Sequence, residues 1–115
     1  MPSPQLLSAD TPAALPLLGG AGADDASIVS RQILRLPEAR VTLFSFAAGQ
    51  ELTTHTNARR ALVHVLSGAG EFFYAGAWHR LDTGALLHLP PNHPHAVRAT
   101  EAFTMLLTLC GDAQD

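Results

Sequence analysis

The stretch GQELTTHTNARRALVHVLSGAG, residues 49–70, decides the interpretation of this chain, because it sets polar side chains into an otherwise apolar, strand-like pattern. A second stretch of the same character is GALLHLPPNHPHAVRA, residues 84–99. Together they contain five of the six histidines. Histidine is the commonest metal ligand in proteins and a frequent acid or base. The two stretches therefore predict one shared site.

Short runs of β-type residues fill the chain from residue 27 onward, and glycine or proline turn signals separate nearly all of them. In the last run Phe103, Met105 and Leu107 alternate with more polar positions, as in a strand with one buried face. No window shows helical spacing with caps, so we predict an all-β fold, a sandwich or a barrel. The predicted strands cover residues 27–36, 40–47, 52–56, 61–67, 71–74, 77–81, 85–89, 95–99 and 103–110.

The length of 115 residues predicts one domain with a modest core. Residues 1–24 mix proline, alanine, glycine and leucine without a sustained period. We predict that they form an N-terminal arm, either flexible or packed on the barrel or on a partner subunit. Residues 25–115 are then the barrel.

Composition excludes several classes of function. A net charge of −3 without a basic run excludes an electrostatic nucleic-acid surface. The chain has no lysine, which excludes Schiff-base chemistry and a phosphate-loop lysine. No apolar run approaches the roughly 20 residues that span a bilayer, so no membrane partner is expected.

The single cysteine, Cys110, cannot form an internal disulfide, and together with the absence of a signal peptide pattern it predicts a reduced, cytoplasmic protein. A hydrophobic content of 47% with 15% charged residues favours self-association, so a homodimer is expected.

Strand geometry groups the candidate site residues. Residues two apart in a strand point to the same face, so His55 and Asn57 are expected to project together into the barrel. His95 comes from a distant strand, after the rigid turn Pro90-Pro91-Asn92. If the barrel closes, His95 faces His55.

The first stretch resembles the first conserved motif of the cupins. That motif has a glycine, a histidine six positions later, usually a second histidine two positions on, then a glutamate and a second glycine. Here the corresponding residues are Gly49, His55, Asn57, Ala61 and Gly68.

The second stretch resembles the second cupin motif, in which a glycine is followed by a proline and then a histidine; here these are Gly84, Pro90 and His95. The resemblance covers residues 41–109 and both motifs keep their spacing. It implies a double-stranded β-helix, the cupin jelly-roll barrel, with one divalent metal ion (Fe, Mn, Ni or Zn) bound inside by histidines and a glutamate.

Two ligand positions depart from that family pattern. Asn57 replaces the second histidine and Ala61 replaces the glutamate, which leaves His55 and His95 as matching ligands. A third ligand could be His93, whose ring shares a face with His95 if His93-Pro94-His95 is extended; the alternative is an exposed turn residue. Asn57 could bind metal through its carbonyl oxygen, or instead hydrogen-bond a ligand or water.

Arg59 and Arg60 lie in the loop inside the first motif, where Arg59 is a candidate for binding an acidic ligand at the barrel mouth. The alternative is a solvated loop. His64 and His88 fall in apolar strands. If Ala61 faces inward, His64 faces outward by alternation.

Three functions remain open. The first is a metal-dependent enzyme, by resemblance a dioxygenase or isomerase-like cupin acting on a small molecule. The second is a metal-free small-ligand binding or sensing cupin, with His55, Asn57 and His95 orienting the ligand. The third, sugar-epimerase-like acid/base catalysis, requires a histidine–tyrosine pair, and Tyr74 is the one tyrosine of the chain.

Overall fold

The structure is a computed structural model and describes residues 5–18 and 27–111. The described part contains nine strands and no helix. None of the described residues forms a helix long and apolar enough to cross a membrane. The strands are β1 (Ile28–Arg35), β2 (Ala39–Phe46), β3 (Glu51–His55), β4 (Arg60–Ser67), β5 (Ala69–Tyr74), β6 (Ala77–Asp82), β7 (Leu86–Leu89), β8 (His95–Arg98) and β9 (Phe103–Cys110).

Two antiparallel sheets face each other. The larger sheet has the order β1-β2-β9-β4-β7 and the smaller one β3-β8-β5-β6. Because sequential strands such as β2, β3 and β4 alternate between the sheets, both sheets contribute to one shared interior. The all-β jelly roll predicted from the sequence is confirmed.

Side-chain alternation creates that interior. In β4, Ala61, Val63 and Val65 are buried, whereas His64 between them is exposed. This is the period of two that a strand with one buried face requires, and it confirms that Ala61 faces inward and His64 outward.

The connections gather at two ends of the barrel. The histidine end comprises the turn 36–38, the loop 56–59, the turn 75–76 and the loop 90–94. The phenylalanine end comprises the connections at residues 47–50, 68, 83–85 and 99–102. At the histidine end, Ala75 and Gly76 both have positive φ, 52° and 84°, as a two-residue hairpin turn requires.

Aromatic packing fills the phenylalanine end. Phe46 and Phe103 stack with ring centroids 4.7 Å apart, and Phe72 meets Phe103 edge-on at 5.9 Å. All three rings are almost fully buried. Gly70 lies directly against Phe103, where an added Cβ would come within 2.6 Å of the ring. Such packing fixes how the two sheets meet.

The described part of the predicted arm is attached to β1. The backbone N–H groups of Leu6 and Leu7 donate to the carbonyls of Gln32 and Ile33, at 3.1 and 2.8 Å. Residues 1–4 and 19–26, which complete the predicted arm and its junction with the barrel, lie outside the described residues. The boundary at residue 24 stays a prediction.

Candidate functional site

A cavity of about 90 Å³ lies between the two sheets. Ten of its twelve lining residues are apolar, and His55 and His95 are the other two. Such a cavity suits a small, mostly apolar ligand held by few polar contacts. The full lining is Phe44, Leu52, His55, Val63, Phe72, Leu87, Leu89, His95, Ala96, Val97, Met105 and Leu107.

The structure brings His55 and His95 together, as their motif positions predict. The two residues are directly paired between β3 and β8. Their ring centroids are 4.2 Å apart at an interplanar angle of 65°. A register shift between Leu52 and His55 accompanies the pairing. Such irregularities re-aim side chains near the end of a strand.

Backbone carbonyls decide which ring nitrogen of each histidine is available. Nδ1 of His55 lies 2.8 Å from the carbonyl oxygen of Thr53, and Nδ1 of His95 lies 2.8 Å from that of His93. A carbonyl oxygen can only accept, so both Nδ1 atoms carry the proton and donate it. In the neutral rings, Nε2 is then the nitrogen with a free lone pair.

Burial favours the neutral form of His95. It lowers the pKa of His95 below the ordinary 6.5, and the nearby His55 lowers it further, while the hydrogen bond to the carbonyl of His93 partly opposes both effects. At neutral pH His95 therefore offers a lone pair rather than a charge.

Asn57 holds together the two loops that carry the histidines. Its side-chain oxygen accepts from the backbone N–H of Arg59 at 2.8 Å, and its backbone carbonyl accepts from the N–H of Asn92 at 2.7 Å. Asn92 itself has a φ of 65°, which asparagine tolerates better than most residues. Asn57 thus fixes the loop after β3 against the loop before β8. Its proposed roles toward metal or ligand stay predictions.

His93 does not join the pair. It lies in the exposed loop before β8, with Nδ1 3.3 Å from the carbonyl oxygen of Pro91, and it does not line the cavity. Within residues 5–18 and 27–111, no group of three or more His, Cys, Asp or Glu side chains is placed to hold a metal ion. Of the predicted metal ligands, the structure brings His55 and His95 together; the ligand role of His93 stays a prediction.

Arg59 is buried rather than solvated. Its exposed fraction is 8%, and its Nη1 atom is buried without a hydrogen-bond partner among the described residues. Arg60 is exposed and donates instead to Nε2 of His88, on the outside of the barrel. The two adjacent arginines thus have different surroundings, which the sequence does not reveal.

Arg40 lies outside both sequence motifs. Its Nε atom is likewise buried and unpartnered among the described residues. Alternation along β2 was an available signal, because Arg40 is four residues from Phe44 and so shares the face that lines the cavity.

Comparison with known proteins agrees with this architecture. The family model of the cupin domain matches residues 42–110, well over half of the chain. Among curated proteins, none matches the sequence.

Solved structures show the same barrel. A conserved protein of unknown function from Streptococcus pyogenes is 27% identical, with a TM-score of 0.82 over 97% of this chain and 98% of that one. An RmlC-like cupin from Desulfovibrio desulfuricans is 31% identical, with a TM-score of 0.78 over 87% and 97%.

A salicylate 1,2-dioxygenase from Pseudoaminobacter salicylatoxidans is more distant. It is 18% identical, with a TM-score of 0.69 over 80% of this chain and 27% of that one, so it shows the fold alone. The family model covers more than half of the chain, and the structure that is 31% identical covers 87% of it. This chain belongs to the cupin family.

Proposed function

We propose that this protein binds a small molecule in its barrel, and that His55 and His95 hold a divalent metal ion, Fe, Mn, Ni or Zn, beside it. One observation carries the proposal: both Nδ1 atoms donate to backbone carbonyls, which leaves two Nε2 lone pairs in one largely apolar cavity. With ring centroids 4.2 Å apart, two such acceptors could bind one cation or one hydrogen-bond donor together.

The imidazole nitrogens of His55 and His95 are suitable ligands for a divalent metal ion, but they are fewer than a metal site commonly has. Neutral imidazoles suit borderline divalent metals, and a backbone carbonyl at the opposite ring nitrogen is the usual support of a ligating histidine. Catalytic zinc sites commonly have three protein ligands. His55 and His95 would supply two ligands, and His93 or Asn57 stays the predicted third.

Each residue has a distinct task in this proposal. A bound ion would supply Lewis-acid polarisation of a ligand oxygen. His55 and His95 hold their rings at a fixed angle through the carbonyls of Thr53 and His93. Asn57 keeps the two supporting loops together, and the apolar walls exclude water from the ligand.

The second candidate is a metal-free binding cupin. One observation favours it: the described residues contain no group of three or more His, Cys, Asp or Glu side chains that could hold a metal ion. In that case the two Nε2 atoms accept hydrogen bonds from N–H or O–H groups of the ligand itself. The cavity, the neutral His95 and the supporting loops serve both candidates equally.

Metal analysis separates the two candidates. The purified, tag-free protein is analysed by inductively coupled plasma mass spectrometry, before and after incubation with Fe, Mn, Ni and Zn and removal of excess ion. We expect about one ion per chain, lost in His55→Ala and in His95→Ala because each removes one of two donors.

His64→Ala is the matched control, since His64 is exposed on the outer face of β4. It should retain the metal. A protein that takes up none of the four ions contradicts the metal site and leaves direct ligand binding as the function. Loss of metal in His64→Ala would contradict the assignment of the site to His55 and His95.

We propose dioxygenase activity as the specific reaction that the metal-bound protein would catalyse. Its support is the fold shared with the salicylate 1,2-dioxygenase. Oxygen uptake by the iron-loaded protein with small aromatic, thiol and diketone substrates tests it. Uptake should vanish in His95→Ala; the absence of uptake with every substrate would leave binding without oxidation.

We also retain the homodimer as a proposal. Leu86 and Trp78 are large apolar side chains that remain 67% and 38% exposed in the single chain. Light scattering coupled to size exclusion should give about twice the mass of the 12.2 kDa chain. A monomeric mass at high micromolar concentration would contradict it.

A further inference from the structure

Strand register places Arg40 on the inner face of the larger sheet. Arg40 lies opposite Leu109, Leu109 opposite Ala61, and Ala61 opposite Leu89. Directly opposed residues of antiparallel strands point to the same side, and Leu89 lines the cavity. Arg35, which pairs with Arg40, extends this row at the histidine end.

Arg59 reaches the same region from the loop before β4, two residues ahead of Ala61. Its side chain is buried, with an exposed fraction of 8%. Nη1 of Arg59 and Nε of Arg40 are two buried polar atoms without a hydrogen-bond partner among the described residues. Both atoms belong to cations and both lie at the histidine end.

The three guanidinium groups are close enough to affect one another. Burial lowers the pKa of Arg40, and the charges of Arg35 and Arg59 lower it further. The ion pairs of the described residues use other arginines: Arg80 pairs with Asp82 and Glu101, and Arg98 pairs with Glu71. No carboxylate from residues 5–18 or 27–111 compensates the cluster at Arg40 and Arg59.

Unpaired cations of like sign are unfavourable when they are buried and close together. An anion bound between them removes both penalties at once. A guanidinium presents a planar fork of donors that matches a carboxylate with two parallel hydrogen bonds. The adjacent cavity is apolar and small, so the rest of such a ligand would be a short aliphatic chain or one ring.

We propose that the ligand of this barrel is a small organic carboxylate, with its acidic group bound by Arg59 and Arg40 and its apolar part in the cavity toward His55 and His95. This rests on the proposed function in one respect, namely that the cavity binds a small molecule. It does not depend on a metal ion.

Titration with matched neutral and anionic probes tests the charge requirement. Acetate and benzoate, with acetamide and benzamide as their neutral counterparts, are titrated at constant ionic strength into EDTA-treated protein and followed by backbone amide NMR shifts. We expect saturable binding of a carboxylate and about 10-fold to 100-fold weaker binding of its amide, because charge-assisted hydrogen bonds are lost. Equal binding of acid and amide, or no saturable binding of either acid, overturns the proposal.

Three arginine variants locate the site. Arg59→Met and Arg40→Met keep most of the side-chain volume and should each weaken carboxylate binding at least about 10-fold. Arg31→Met is the control, because Arg31 is an exposed arginine of β1. It should leave binding within about twofold. If Arg31→Met costs as much as Arg59→Met, the effect is one of net charge, and the site assignment is wrong.

Thermal unfolding separates a binding role from a structural one. Without ligand, Arg59→Met should raise Tm by about 2–5 °C, because it removes a buried cation that has no ion pair within residues 5–18 and 27–111. The same variant should lose the rise in Tm that benzoate gives the natural protein. A lower Tm for both Arg59→Met and Arg40→Met in the absence of ligand would show structural residues and overturn the proposal.

The outcomes for the metal and for the anion are independent. If the protein binds carboxylates without taking up any metal, the metal proposal fails and this inference stands. If metal is retained and no carboxylate binds, this inference fails and the metal proposal stands.

Discussion

The two ends of the barrel satisfy their buried groups in different ways. At the phenylalanine end, Phe46, Phe72 and Phe103 contact one another closely and are nearly inaccessible to solvent. At the histidine end, Arg40 and Arg59 bury polar atoms without partners among the described residues, and His55 and His95 bring two acceptors together. The first end stabilises the fold; the second retains unsatisfied groups that a ligand can satisfy.

This contrast makes the ends separable by mutation. Substitutions at the phenylalanine end should lower the free energy of unfolding strongly, whereas substitutions at the histidine end should change stability little and binding strongly. The four substitutions below run from the largest expected loss of stability to the smallest, all measured by urea denaturation.

Phe103→Ala should have the largest effect. It removes a buried ring that contacts both Phe46 and Phe72, and such truncations cost about 3–5 kcal/mol. Phe103→Leu, which leaves a smaller cavity, should cost less and keep the protein folded. A loss below about 1 kcal/mol for Phe103→Ala would show that this end is not the stabilising one.

Gly68→Ala should cost about 2–4 kcal/mol, since positive φ strain adds to a backbone clash. Gly68 has a φ of 69°, and an added Cβ would lie 2.5 Å from the carbonyl oxygen of Ala102. Gly49→Ala is the matched control: its φ is 90°, but no atom lies within 4 Å of the new Cβ. Strain alone should cost it about 1 kcal/mol, and equal losses at the two positions would rule out the clash.

Asn57→Ala should cost about 1 kcal/mol, as for the loss of a side-chain acceptor that caps a backbone N–H. Asn57→Asp keeps the acceptor for the N–H of Arg59 and should restore most of the stability. Metal content measured on both variants distinguishes a structural role of Asn57 from a role as metal ligand. If Asn57 acts only as a brace, Asn57→Asp keeps the natural metal affinity, whereas a ligand role predicts tighter binding through the new carboxylate.

His95→Gln should have the smallest effect on stability at neutral pH and a distinct effect on its pH dependence. Because the folded protein lowers the pKa of His95 below 6.5, the unfolded chain takes up the proton first as the pH falls. The stability contributed by neutral His95 is therefore full above about pH 6.5 and is lost as the pH falls through the lower pKa of the folded state.

The measurement compares metal-free natural protein and His95→Gln between about pH 7.5 and about pH 5.5. The natural protein should lose more free energy of unfolding than His95→Gln over this interval. His64→Gln leaves His95 in place and should follow the natural protein. Identical pH profiles for the natural protein and His95→Gln would contradict the lowered pKa.

The fold could be predicted because its signals are local. Strand alternation, and the turn-forming glycines and prolines between the runs, can all be read within short windows, and Gly49, Gly68 and Gly84 indeed adopt positive φ. The pairing of His55 with His95 followed from two motif positions once the barrel was assumed. The all-β class needed only residue type and spacing, whereas the closed barrel that brings His55 and His95 together also needed the resemblance to the cupin motifs.

The arginine cluster could not be predicted in the same way. Arg40 and Arg59 come from different parts of the chain: the register of β2, β9 and β4 places Arg40 on the inner face, and Arg59 lies in the loop just before β4. The burial of a loop arginine also depends on tertiary packing, which the adjacent sequence does not indicate. Arg59 is buried and Arg60, the next residue, is exposed. Long-range register is the information that the sequence pattern lacked.

The attachment of Leu6 and Leu7 to β1 has a consequence for association. β1 is the outermost strand of the larger sheet, and an outermost strand with free carbonyl and N–H groups is a template onto which another chain can add. The carbonyls of Gln32 and Ile33, next to the irregularity in the pairing of β1, are already used by the chain's own N-terminal segment. Pairing of a second copy with these two carbonyls would first require the two hydrogen bonds to break. We therefore expect the segment to disfavour edge-to-edge association through this part of β1.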